Sequence, residues 1–304
     1  VGVIGFGVRG PIAKYAHRPD EGVRVAAVAD TDGTALERFA AEYGAEAFAT
    51  TDYRELLARD DIGAVFVMTP DHLHEEHAVA ALETGKAVYL EKPMAITIEG
   101  CDRILRAAYD HGAKLYLGHN MRHMTVIRKM KELIDGGAIG EVKSGWCRHF
   151  IAYGGDAYFK DWHSERANTT GLLLQKASHD IDVLHWLCGG YTRRVNAMGA
   201  LTVYHEVADR RRPDERGNPE FRFENWPPRT QKGLSPVIDV EDLSMMQMEL
   251  DNGVLCCYQQ GCYTPDAWRN YTIIGTEGRI ENFGDDPPLA ELRVWNRRTG
   301  YNGD

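Results

Sequence analysis

The chain has 304 residues, 43% of them apolar and 26% charged, with a formal net charge of -10. That length holds one large or two medium domains, and the acidic balance without a lysine–arginine block argues against a nucleic-acid partner. No stretch approaches about 18 consecutive apolar residues, so no membrane-spanning helix is expected, and no signal segment is evident.

The chain opens inside a strand, so residues are expected to be missing before Val1. That strand runs straight into Gly5-Phe6-Gly7-Val8-Arg9-Gly10, a G-x-G-x-x-G spacing. Gly5 permits a tight turn, Gly7 lets the backbone approach a pyrophosphate, and Gly10 lets a helix pack on a strand. Pro11 suits a first helical turn, and Ile12 to His17 continues helix-like. A second apolar strand, Val23 to Ala29, ends in Asp30, about 20 positions after the last glycine, where a ribose diol is held. The strand–helix alternation continues. Helices are expected over Thr34 to Tyr43, Tyr53 to Ala58 (capped by Asp52), His72 to Thr84 and Ile98 to His111. Strands are expected at Phe48, over Ala64 to Met68, Ala87 to Leu90 and Lys114 to Leu117. This pattern predicts an α/β domain, a doubly wound parallel Rossmann sheet over residues 1–119.

Ligands of such sheets bind outside the carboxyl ends of the strands. Three strand ends are chemically loaded: Thr69-Pro70-Asp71-His72-Leu73-His74, Glu91-Lys92-Pro93 and Gly118-His119-Asn120-Met121-Arg122. Together they predict an active site beside the glycine loop.

Beyond Arg122 the pattern changes. Val126 to Ile134 is helical, and long alternating strands follow at Val142 to Phe150, Val195 to Tyr204, Val237 to Leu250, Val254 to Tyr263 and Tyr271 to Ile274. Asp251-Asn252-Gly253 is a hairpin signal. Residues 120–304 are therefore expected to form an α+β domain with a large, mainly antiparallel open sheet. One helix interrupts it, Leu172 to Cys188. The segment His205 to Pro236 reads as a surface excursion or subunit arm. No closing element follows Asn302-Gly303-Asp304, so the C-terminus is also expected to be incomplete. The six cysteines are scattered and read as reduced thiols of a cytoplasmic enzyme, with no metal site.

The sequence resembles the glucose–fructose oxidoreductase / inositol dehydrogenase (Gfo/Idh/MocA) family over nearly its whole length. The carrying stretches are GFGVRG (5–10), TPDHLH (69–74), ALETGKAVYLEKPMA (81–95), IDGGAIGEV (134–142), SHDIDVLHWLCGG (178–190), VEDLSMMQMELDNGV (240–254) and GTEGRI (275–280). The resemblance implies NAD(P)-dependent oxidation or reduction of a sugar, cyclitol or related polyol. It also implies a second-domain sheet that serves as a subunit interface, hence a homodimer or homotetramer.

Oxidising a secondary alcohol needs a hydride acceptor, a base for the hydroxyl proton and a cation for the developing alkoxide. Lys92, after a buried strand, is the candidate cation, and the resemblance makes it catalytic or cofactor-positioning. His179 is the candidate base, with a reference pKa near 6.5, and it matches the family's catalytic histidine. On its helix, Ala177, Ile181, Leu184 and Cys188 form an apolar stripe, and Gln175, His179, Asp182 and Trp186 form a neighbouring one. Many family members place an aspartate four residues before this histidine, where this chain has Gln175. Lys176 follows, with a salt bridge to Asp180 as its simplest role and an acidic or hydroxyl-rich substrate as the other. Cofactor contacts are expected from Gly5, Phe6, Gly7, Val8, Arg9, Gly10, Asp30, Thr69, Pro70, His72, His74, Glu91, Lys92 and Asn120. Substrate contacts are expected from Lys92, Asn120, Arg122, Trp162, His163, Gln175, Lys176, His179 and Asp182, with Tyr153 and Tyr158 behind them. Asp30 favours NAD over NADP, because its carboxylate repels a 2′-phosphate, although Arg9 on the glycine loop can oppose it. Two other functions fit the same features. One is a redox-assisted glycoside-cleaving enzyme with tightly bound NAD, which needs a second base. The other is a non-catalytic NAD-binding sensor, against which Lys92 and His179 both speak.

Overall fold

A computed structural model describes residues 1–217, 219–285 and 290–298. The expectation about the last three residues lies outside the described residues. The chain divides into two units, Val1–Gly118 and His119–Asp304.

In the first unit the strands are β1 (Gly2–Ile4), β2 (Ala27–Ala29), β3 (Phe48–Thr50), β4 (Ala64–Val67), β5 (Ala87–Leu90) and β6 (Leu115–Leu117). They form one six-stranded parallel sheet in the order β3-β2-β1-β4-β5-β6. Between them run α1 (Gly33–Tyr43), α2 (Tyr53–Leu57), α3 (His74–Glu83) and α4 (Ile98–Asp110). The strands are apolar on both faces because both faces are covered. In β1, Ile4 packs with Val65, Val67, Leu82 and Leu90, while Val3 packs with Phe6, Val28 and Phe39 on the opposite side. Asp52 caps α2 as expected, and Asp32 caps α1, each accepting a main-chain N–H two residues on.

Three local expectations change. The helix after the glycine loop is a 3-10 helix, Gly10–Ala16. The second strand is shorter than Val23 to Ala29, because Val23 pairs with Arg18 in a small bridge and only Ala27–Ala29 joins the sheet. Asp71–Leu73, just before α3, is also 3-10, so the α-helix begins at His74 rather than His72.

In the second unit the strands are β7 (Val142–Phe150), β8 (Thr192–Ala200), β9 (Leu243–Leu250), β10 (Leu255–Gly261), β11 (Trp268–Gly275), β12 (Arg279–Phe283) and β13 (Glu291–Trp295). The sheet order is β13-β12-β11-β7-β10-β9-β8. All pairs are antiparallel except β10 with β7. The Asp251-Asn252-Gly253 hairpin joins β9 to β10, with Gly253 at φ +83°. The helices α5 (Thr125–Asp135) and α7 (Leu172–Cys188) cover one face; a short helix, α6 (Arg166–Thr169), precedes α7. Ile127, Met130, Leu184 and Leu187 pack there against Cys147, Met248, Tyr258 and Ile273. Each such side chain stabilises the unit by about 1.5–3 kcal/mol relative to exposure.

Strand β9 starts later than expected, at Leu243. Asp242 is fully buried, and its carboxylate accepts main-chain N–H groups of Thr202, Val203 and Tyr204. That cluster ends β8 early and holds Val240 to Asp242 out of the ladder. β12 and β13 were not expected, because Arg, Glu and Asn dilute their alternation.

The other face of this sheet carries Trp146, Met198, Met245 and Leu255, all at least 36% exposed, with Met198 at 72%. A groove of about 430 Å³ runs among Trp146, Asn196, Met198, Met245 and Cys257. The described cysteines are all thiols, and no helix of the described residues is long and apolar enough to cross a membrane.

Candidate active site

The first unit gathers its loaded segments at the carboxyl edge of the sheet. Gly5 follows β1 with φ +87°, and a Cβ there would lie 2.9 Å from the Met68 carbonyl carbon. A Cβ on Gly10 would meet the Phe6 ring at 2.7 Å. A Cβ on Gly7 would meet nothing within 4 Å. Gly5 and Gly10 are thus glycine for the fold, and Gly7 borders open space of the kind a pyrophosphate needs. Asp30, at the end of β2, accepts the Phe6 N–H at 2.6 Å and the Asp32 N–H at 2.8 Å, which fixes its carboxylate beside the loop. These features fit a dinucleotide.

The other expected cofactor residues divide. Val8 stands 92% exposed on the loop. Phe6 does not present its ring, which is buried edge-on against Phe39. Thr69 and Pro70 are partly exposed after β4, and His72 is exposed. Partial burial lowers the His72 pKa. His74 points inward. It is 1% exposed, and its ring nitrogens face the carbonyls of Pro93 (2.6 Å) and Thr69 (2.9 Å). Burial lowers its pKa, against the two carbonyls. Its ring ties the loop after β4 to the loop after β5, so its part is to hold those loops. His77 adds a contact to the Thr69 hydroxyl at 3.1 Å. Glu91 and Lys92 follow β5, and Lys92 is 8% exposed. Arg9 reaches Glu91 at 2.6 Å.

In the second unit, Asn120 is exposed on the 3-10 turn Asn120–His123. Arg122 and Asp182 come together as a bidentate pair, Nε to Oδ2 at 2.7 Å and Nη2 to Oδ1 at 2.6 Å. The guanidinium also lies 5.7 Å from the Trp186 ring. Asp182 therefore spends both oxygens on Arg122 and orients it. His179 is half-buried on α7, with the His119 ring 6.5 Å from its own. Gln175, one turn earlier, is 6% exposed. The Lys176 ammonium sits 3.7 Å from the centre of the Tyr158 ring. Trp162 and His163 stack on each other at 3.7 Å and 19°, and Asp161 holds the His163 Nδ1 at 2.6 Å. Tyr158 lies next to His163 and Tyr153.

Sequence reasoning missed the support beneath this helix. Asp180 is fully buried and collects His149 Nδ1 at 3.1 Å, Arg269 Nε at 3.0 Å, the Tyr258 hydroxyl at 3.1 Å and the Tyr271 hydroxyl. Arg269 donates to His149 Nε2 at 2.9 Å, so His149 is neutral with its proton on Nδ1. Burial alone raises the Asp180 pKa, but Arg269 and His149 hold it well below the usual carboxylate range. These partners lie 31 to 91 residues from Asp180 in sequence, a separation that carries no local signal. His119 and Asp161 were also missed, although each flanks a residue that was singled out.

Residues 1–119 match the model described as "Oxidoreductase family, NAD-binding Rossmann fold", and residues 127–281 match the "GFO/IDH/MocA C-terminal domain". The chain is 29% identical to putative oxidoreductase YteT of Bacillus subtilis, over 79% of this chain and 64% of that protein. It is 35% identical to inositol 2-dehydrogenase of Ralstonia nicotianae, over 62% of this chain and 54% of that protein. It superposes on the WlbA dehydrogenase of Bordetella pertussis, solved with NADH and UDP-GlcNAcA, with a TM-score of 0.77 at 21% identity, over 97% of this chain and 82% of that one. The chain spans about half to two thirds of the length of the curated relatives it matches. The six-stranded parallel sheet of the first unit and the mainly antiparallel sheet of the second accord with these matches: the chain belongs to the GFO/IDH/MocA oxidoreductase family.

Proposed function

We propose that the chain is an NAD-dependent oxidoreductase that moves a hydride between nicotinamide and a secondary alcohol or ketone of a sugar, cyclitol or related polyol. Residues 1–119 bind the cofactor and residues 120–304 bind the substrate. The observation that carries the reading is the pairing of an open Gly7 loop with a buried lysine at the next strand end but one. Bound NAD supplies the hydride acceptor. Lys92 polarises the substrate oxygen, and His179 takes the hydroxyl proton. Arg122, held by Asp182, and Asn120 hydrogen-bond substrate hydroxyls. The Trp162–His163 stack offers an aromatic face to a sugar ring, and Lys176 binds an acidic group or hydroxyls, with Gln175 beside it. Asp30 supports NAD over NADP. The apolar sheet face supports a homodimer or homotetramer, and the free thiols support a cytoplasmic setting.

The test is absorbance at 340 nm with purified protein, NAD and a panel of inositols, aldoses, sugar acids and aminosugars. Net reduction of free NAD by one class of polyol is expected. A second reading, cleavage of a glycoside with NAD retained, draws support from the Asp161–His163 contact, which orients a second histidine as a base. Release of an aryl leaving group without net NAD reduction would replace the first reading by the second.

A further inference from the structure

Asp180 stands next to His179 on α7 and is fully buried. Each of its carboxylate oxygens meets two donors. Oδ1 takes Arg269 Nε at 3.0 Å and the Tyr271 hydroxyl. Oδ2 takes His149 Nδ1 and the Tyr258 hydroxyl, both at 3.1 Å. His149 lies on β7, Tyr258 on β10, and Arg269 and Tyr271 on β11; β7 is the middle one of these three neighbouring strands. One side chain thus ties α7 to three strands at once.

Apolar packing does not do this near His179. From Lys176 to Asp182 the buried positions are Ala177 and Asp180. The larger buried apolar side chains stand farther along the helix, Leu172 on one side and Val183, Leu184 and Leu187 on the other. Apolar contact is also non-directional, whereas hydrogen bonds to a carboxylate need their geometry. Asp180 therefore fixes how this part of α7 is turned about its axis. Successive helical residues point about 100° apart, so the direction of Asp180 sets that of His179. With side chains a helix has a radius of about 5–6 Å, so a turn of about 10° moves the tip of His179 by about 1 Å. A misplacement of that size costs a catalysed step about 10²-fold.

We infer that Asp180, with Arg269 as its counter-charge, is a positioning residue for the proton transfer at His179. This deepens the function proposed above and rests on its reading of His179 as the base.

The experiment compares wild type with Asp180→Asn, Asp180→Leu, Asp180→Leu combined with Arg269→Met, and Tyr271→Phe. Asparagine cannot stand in for the carboxylate, because either orientation of its amide turns an NH2 group toward two donors. Four quantities are measured: kcat and KM with the substrate found at 340 nm, NADH binding by fluorescence, urea midpoints, and the position of the His179 ring Cε1–H signal in NMR, assigned with His179→Gln. In the Asp180 variants kcat is expected to fall by about 10- to 100-fold, by more than KM rises. NADH binding should be unchanged and the His179 signal should shift. Leaving Arg269 alone in the core is strongly destabilising, whereas replacing both members of a buried pair by apolar side chains is often not. The double variant should therefore regain stability lost in Asp180→Leu without regaining kcat. Tyr271→Phe removes one donor and should lower kcat by a smaller factor. Recovery of kcat together with stability in the double variant would overturn the inference, by showing that Asp180 only holds the fold. Wild-type kcat with an unmoved His179 signal in a folded Asp180 variant would overturn it too. If the Asp180 variants do not fold, Tyr271→Phe decides, and the same wild-type pair of readings there overturns the inference. A wild-type protein that turns over no polyol would sink the dehydrogenase reading, and the His179 signal alone would then decide whether Asp180 sets the position of that ring.

Discussion

Gly7→Ala and Gly10→Ala should fail in opposite ways, although the two residues stand three apart in one motif. At Gly10 the new Cβ would lie 2.7 Å from Phe6 Cδ2 and 3.2 Å from the Gly5 carbonyl oxygen. Phe6 cannot swing aside, because its ring is buried against Phe39 at 5.2 Å and Tyr43 at 6.3 Å. Overpacking of this kind costs about 1–3 kcal/mol. At Gly7 the new Cβ meets nothing within 4 Å. A methyl group there leaves the folded chain unstrained and restricts the unfolded one, so stability should hold or rise by up to about 1 kcal/mol. The same methyl group occupies the space through which a pyrophosphate approaches the main chain. NADH affinity should therefore fall sharply in Gly7→Ala. Urea titration without cofactor and fluorescence titration with NADH separate the two effects. A Gly7→Ala protein as destabilised as Gly10→Ala, or one that binds NADH like wild type, would refute the division of labour.

Three further outcomes are expected. Among the described residues, Asp180→Ala leaves the buried Arg269 guanidinium with one carboxylate, Asp285 at 3.3 Å, besides the neutral His149, and should cost about 3–5 kcal/mol in denaturant; a loss below about 1 kcal/mol would show that the cluster contributes little. Burial lowers the pKa of His74 and of His149 below the unfolded value. As pH falls below about 6.5, the unfolded chain takes up those protons before the folded one, so stability should decline until each folded pKa is passed. Urea midpoints at pH 7.5 and 5.5 check this, and His74→Gln should flatten the slope; higher stability at the lower pH would contradict it. Met198→Glu combined with Met245→Glu places charges on the exposed sheet face and should shift the protein toward monomer in sedimentation velocity, whereas an unchanged oligomer would move the interface elsewhere.

How far the sequence could be read follows from where the signals lie. Most of the first unit was legible, because runs such as Ala64 to Val67 are apolar throughout and α1, α2 and α4 have side-chain caps, as Asp52 is for α2. The 3-10 helix after the glycine loop was not, since Pro11 suits both helix types. In the second unit α7 was legible to the residue from its stripes. β12 was not, because its buried Glu281 accepts from Asn270 and Arg279 and its buried Asn282 accepts from the Tyr271 main-chain N–H, rather than both being apolar. Candidate site residues were found where chemistry sits at a strand end, as with Lys92. Their supports escaped notice. Asp182 looked like a substrate ligand until Arg122, 60 residues away, took both its oxygens. Phe6 and His74 lie within motifs that face the cofactor, but both side chains turn into the core.

The central claim, hydride transfer that depends on Lys92 and His179, is tested most directly by rate. The substrate found at 340 nm would be assayed with wild type, Lys92→Ala and His179→Ala, with NADH binding measured in parallel. The expected result is a fall in kcat of about 10²- to 10⁴-fold in each variant, with His179→Ala still binding NADH. Near wild-type kcat in both variants, with NADH bound normally, would contradict the claim.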